Sequence, residues 1–112
     1  MEDLLRQMLA DPEREEAQSW LMGGEERSIF EFSPDESLAM IQELYALGAN
    51  EVWAVGIDKE PDMESTDTLV VALPTDVDER VPVFRWVNDY AQECGFDPTP
   101  DQGQSHLLAY FT

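Results

Sequence analysis

The chain has 112 residues, near the commonest size for one domain, and no apolar run approaching the roughly 20 residues that span a bilayer. Twenty-five acids against six bases leave a net charge of −19. Nucleic acid and anionic membrane are held through Lys and Arg, so that balance excludes both as partners.

A hydrophobic fraction of 43% is ordinary for a globular protein and argues against wholesale disorder. A compact body of this length has a radius of gyration of about 13 Å. The single cysteine, Cys94, has no internal disulfide partner, which favours a reducing, cytoplasmic setting. The opening MEDLLRQML has acids ahead of its short apolar stretch and no small-residue cleavage site, so it is not read as a signal peptide.

Leu4, Leu5, Met8 and Leu9 recur at helical spacing and predict a first helix. Asp11 as N-cap and Pro12 at the first helical position open a second, with Glu13, Glu15 and Glu16 in its first turn. Ala17, Trp20 and Leu21 give that helix an apolar stripe, and Gly23 and Gly24 end it. Residues 1–27 therefore read as a helical extension of a body spanning 28–112, the two forming one domain.

The body begins with a strand, Ser28 to Phe32. Ser33-Pro34-Asp35-Glu36 is a helix start with a capping box, Glu36 reaching back to the Ser33 N–H. Leu38, Ile41, Leu44 and Tyr45 line one face of the helix that follows, and Gly48 closes it. Strands at Glu51 to Asp58 and Thr68 to Leu73 read as a hairpin joined by a long polar loop. Thr75 to Arg80 reads as a turn or a ragged first helical turn, and Pro82 should not lie in a helix interior, so the main helix is placed from there to Cys94, with Val83, Val87, Tyr90, Ala91 and Cys94 on one face. After a loop at 97–104, His106 to Phe111 is the last strand.

The body order β-α-β-β-α-β is that of the ferredoxin-like sandwich, an α+β fold, here with two additional N-terminal helices. In that arrangement the two strands of each βαβ half run parallel and both helices share one sheet face. Both faces of the 51–58 and 68–73 strands are apolar, through Trp53, Val55 and Ile57 on one side and Val52 and Ala54 on the other. A half-solvated sheet alternates apolar with polar, so a second cover is expected: the N-terminal helices or the same face of a second subunit.

No residue set points to catalysis, a cofactor or a metal. Cys94 and His106 are the only residues of their kinds and fall near one end of the expected fold. Cys94, however, sits on an apolar stripe, where a buried, unreactive thiol is expected. Asp58, Glu60 and Asp62 have the spacing of the first ligands of a calcium loop. Met63 stands where that loop needs glycine and Leu69 where it needs glutamate, so a solvated hairpin loop is the better reading. There is no glycine-rich phosphate loop, G-x-S-x-G or H-E-x-x-H.

A non-enzymatic interaction domain is the function expected, inhibitor- or immunity-like or a mimic of nucleic-acid charge, with a basic protein as partner. A homodimer through the second sheet face is a further expectation. The contact residues expected are Glu13, Glu16 and Trp20 in one segment and Asp58, Glu60, Asp62, Met63, Glu64 and Asp67 in the other. In each, several carboxylates flank an apolar group that can serve as a buried anchor. The alternative is a small-molecule-sensing module with its ligand cleft at a dimer interface.

Overall fold

Local signals place most of the elements, and several of their ends and tertiary partners differ from expectation. The computed structural model describes residue 7, residues 10–24 and residues 26–111. The first predicted helix, with Leu4, Leu5, Met8 and Leu9, lies outside the described residues apart from its neighbour Gln7. The protein is α+β, with a radius of gyration of 13.3 Å. No described helix is long and apolar enough to cross a membrane.

The Asp11-Pro12 signal makes a single turn instead of a long helix. The Asp11 carboxylate accepts from the Glu13 N–H at 2.9 Å, and the chain then enters β1, Glu15–Glu16. The helix, α1, spans only Ala17–Met22, and its N-cap is Glu16. The two-residue strand pairs antiparallel with the main sheet, so residues 15–22 are part of the body.

The strand expected over 28–32 is also shorter. β2 covers Arg27–Ile29 and ends where the Ser37 hydroxyl accepts the buried Ile29 N–H at 2.8 Å. Phe30 follows at φ +50°, a left-handed conformation uncommon for a bulky side chain. The turn sets Phe32 edge-to-face against Phe111 and Tyr90. Helix α2, Pro34–Leu47, has the expected ends: Ser33 caps the Glu36 N–H and Gly48 takes φ +118°. Glu36 differs in detail, because its carboxylate accepts from the Ser33 hydroxyl at 3.2 Å.

β3, Glu51–Val55, and β6, Thr68–Ala72, are antiparallel neighbours as the hairpin reading requires, in a register that pairs Trp53 with Val70. Between them β4, Asp58–Lys59, and β5, Glu64–Thr66, form a small hairpin of their own. β2 joins that hairpin in parallel with β5, giving a second, three-stranded sheet ordered β2-β5-β4.

Helix α3 spans Val77–Glu93 and contains Pro82 in its interior, against the expectation that the helix begins there. Asp76 caps it, and the N-terminal turn forms ahead of the proline. Only the Asp78 carbonyl, one turn back on an exposed stretch, loses a bond to the missing N–H.

β7, His106–Tyr110, pairs directly with β6 and runs antiparallel to it. This overturns the ferredoxin-like order, which needs those two strands parallel and the 28–32 strand in the same sheet. The four-stranded sheet is β1-β3-β6-β7, with every pairing antiparallel. The cause is the return loop. α3 carries the chain about 25 Å along the sheet at 1.5 Å per residue. The stretch after Phe96 then runs back beside the helix before β7 starts. Asn88 bonds the Thr99 N–H and carbonyl, and near the start of α3 Arg80 binds Asp101 and the Gln104 carbonyl.

One face of the main sheet, with Val52, Ala54, Leu69, Val71, Leu107 and Ala109, packs on Ile41, Leu44, Val83 and Val87 of the long helices. On the other face Val70 and Thr68 are buried, and Trp53 is half-buried with the Arg14 guanidinium 5.2 Å above its ring. The expected cover by the first N-terminal helix lies outside the described residues.

Candidate functional site

The acidic loop after β3 is a structured hairpin, and its strands decide which carboxylates are free. β4 and β5 are closed by reciprocal bonds between Glu60 and Met63, leaving Pro61 and Asp62 at the tip. The Thr66 hydroxyl holds its base, donating to the Val55 carbonyl and accepting the Thr68 N–H at 3.1 Å. The Glu26 carbonyl accepts the Glu64 N–H at 2.8 Å and ties β2 to the hairpin.

Glu64 is committed to the fold. Its carboxylate accepts the Trp20 indole N–H at 3.1 Å and lies 3.5 Å from the Arg27 guanidinium, which itself donates to the Trp20 carbonyl at 2.8 Å. Trp20 is 1% exposed and is core, so it is no surface anchor. Burying an indole requires a partner for its N–H, and Glu64 supplies it.

Glu16 is committed as well. It accepts from the Gln18 and Ser19 amides and from the Tyr45 hydroxyl, the last at 2.7 Å. Burial pushes its carboxyl up, but those bonds outweigh it and hold the group below the usual glutamate range. Tyr45 in turn accepts the Val52 N–H, and burial together with Glu16 raises its phenol well above the ordinary value.

Asp58, Glu60, Asp62 and Met63 remain on the surface, and Met63 is 44% exposed. Asp67 is half-buried and accepts from the Thr68 hydroxyl at 2.9 Å. The hairpin separates two open clefts of similar size. One, of about 310 Å³, runs between Glu26, Glu60, Asp62 and Met63. The other, of about 300 Å³, lies between Phe30, Asp58 and Asp67. Each thus combines exposed carboxyl groups, those of Glu26, Glu60 and Asp62 in the first cleft and of Asp58 alone in the second, with one exposed apolar side chain.

Phe30, 38% exposed, lines the second cleft, a placement that sequence reasoning missed. Inside the SIFEF run it has the look of one more strand residue, and nothing local marks its turn out to solvent. Glu13 is exposed, and its turn is held toward the second cleft because Asp11 accepts the Gly56 N–H at 3.0 Å. That bond, followed by the one from Glu13, lowers the Asp11 pKa. Lys59, the one lysine, also lies on the exposed hairpin.

Cys94 and His106 do not meet. Cys94 caps the end of α3, close to Phe96, whose ring lies 6.1 Å from that of Tyr110. His106 begins the same strand that Tyr110 ends, roughly 14 Å away at 3.4 Å per residue. Cys94 is half-buried, more exposed than its apolar register predicts, because the helix stops one residue before it. His106 bonds Ser105 through Nδ1 at 2.7 Å, and burial lowers its pKa. Among the described residues no three His, Cys, Asp or Glu side chains converge as a metal site.

A third cleft, of about 620 Å³, opens between Leu73, Val77, Arg80 and Asp101. Its arginine is occupied: Arg80 is bound by both Asp101 oxygens and by the Pro74 and Gln104 carbonyls. No protein-family model, curated protein or solved structure matches the chain.

Proposed function

We propose that this protein is a non-enzymatic interaction module that docks a basic protein surface through the β4–β5 hairpin, in the manner of an inhibitor or immunity protein. One observation carries the reading: Met63 stands exposed among Glu60, Asp62 and Glu26 at the hairpin's tip cleft, with those carboxylates on the surface. Charge guides the approach of a basic partner, and the apolar group supplies contact area that a purely charged loop lacks. Phe30 between Asp58 and Asp67 repeats the combination on the other side. The net charge of −19 extends the attraction beyond the hairpin. The lone thiol suits a reducing, cytoplasmic setting.

The test begins with partner capture from native extract at low and high salt. The purified partner is then bound to the wild-type chain, to a Glu60→Gln/Asp62→Asn double variant and to Met63→Ala. The charge variant should slow association and flatten its salt dependence, and Met63→Ala should speed dissociation. Unchanged kinetics in both, or an acidic contact surface on the partner, would defeat the reading.

A further inference from the structure

We propose that β7 is a pairing edge through which two copies of this chain join their four-stranded sheets into one continuous sheet. β7 is the last strand of its sheet. The Phe111 N–H bonds the Asp67 carbonyl and the Ser105 carbonyl accepts the Leu73 N–H, so the odd-numbered residues of the strand face β6. The N–H and C=O groups of His106, Leu108 and Tyr110 therefore point away from the sheet. Among the described residues none of them is bonded. Exposed edges of this kind are usually blunted by charge, proline or a bulge. Here residues 102–112 contain no Asp, Glu, Lys, Arg or Pro, in a chain that is otherwise densely acidic.

The strand is complementary to itself. A two-fold axis at Leu108 sets Leu108 opposite Leu108 of the second copy, His106 opposite Tyr110, and Leu107 opposite Ala109. The outward-pointing groups then meet as hydrogen-bonded pairs, and no like charges face each other. The row Trp53–Val70–Leu108 on one face continues across the axis into the same row reversed. On the other face Val52–Val71–Leu107 continues into Ala109–Leu69–Ala54. A second copy thus extends both apolar faces without a break. Phe96, 42% exposed beside Tyr110, lies where His106 of the second copy arrives. Charge on the rest of the molecule opposes the approach, so salt should favour the dimer.

The test is sedimentation of the wild-type chain over a range of concentrations at 0.05 M and 1 M NaCl, with disulfide trapping. The chain should sediment with twice its monomer mass at the higher concentrations, and more completely in 1 M NaCl. Leu108→Pro removes an N–H that the folded sheet does not use and should abolish the dimer. In a Cys94→Ser background, Leu108→Cys should cross-link to itself under mild oxidation, since facing Cα atoms lie about 5.5 Å apart, within disulfide reach. Tyr110→Cys, which faces His106, should not. A chain that remains monomeric throughout, with no cross-link at position 108, overturns the proposal. So does a dimer in which Tyr110→Cys cross-links and Leu108→Cys does not, and that result stands even if Leu108→Pro fails to fold.

Discussion

Glu16 gathers three donors on one carboxylate: two amides of the helix it caps and the hydroxyl of Tyr45, 29 positions away in sequence. Replacing it with alanine should cost about 2 kcal/mol at pH 7. About half of that comes from the lost N-cap and half from the hydrogen bond that Tyr45 gives up. Its folded pKa lies below the usual glutamate value of 4.5. The stability contributed by its charge is therefore complete above that value and fades as pH falls through it toward the folded pKa. Urea midpoints of wild type and Glu16→Gln should differ at pH 7, and the difference should shrink steadily as the pH is lowered below 4.5. Arg80 is the other residue with concentrated bonding. Its side chain is only 8% exposed and serves Asp101 and two backbone carbonyls. Arg80→Met strands the carbonyls of Pro74 and Gln104 and should lower stability by about 2–3 kcal/mol by denaturant titration. The same change should loosen the return loop, read as faster hydrogen exchange at Thr99 and Gly103.

Among the elements, α3 and the small sheet hold the informative departures. Pro82 lies six residues into α3, past the first turn where the ring is tolerated. Pro82→Ala restores a bond to the Asp78 carbonyl and removes a clash there, a gain reduced by the about 0.5–1 kcal/mol that proline saves in the unfolded chain. Thermal melts should show a net gain of about 1 kcal/mol. A loss would mean that Pro82 shapes the helix start. The β2-β5-β4 sheet gives the acidic stretch after β3 a fixed backbone, because β2 is anchored at Ile29 by Ser37 and at Arg27 by Glu64. That anchoring is what permits Met63 and Phe30 to stand on the surface in set positions, where a flexible loop would lose contact energy to ordering on binding.

For the whole molecule the charge is the governing quantity. A net −19 on a body with a radius of gyration of 13.3 Å places many like charges within one Debye length at low ionic strength. Described salt bridges offset little of it, since the two present are Arg27–Glu64 and Arg80–Asp101. Raising NaCl from 10 mM to 0.5 M shortens the screening length from about 30 Å to below 10 Å and should raise the melting temperature by several degrees. A flat or falling melting temperature over that range would remove self-repulsion from the account. The same screening should slow association with a basic partner while promoting pairing of two copies through β7.

Signals carried within a few residues were readable in the chain alone. Ser33 and Pro34 mark the start of α2, Gly48 marks its end, and the apolar runs of β3 and β6 mark them as neighbouring strands of one sheet. Those features rest on backbone preference and side-chain period, which neighbouring residues set. The acidic segments around Asp58–Asp67 were also readable as a region, but not residue by residue. Glu64 is spent on Trp20 across 44 positions, and Phe30 becomes a surface residue only because the chain turns at the end of β2. Strand pairing shows the same division. Nothing local distinguishes a last strand that runs parallel to β6 from one that runs against it. The choice falls to the loop after Phe96, which packs back along α3 through Asn88 and Arg80, contacts that exist only once the helix has docked.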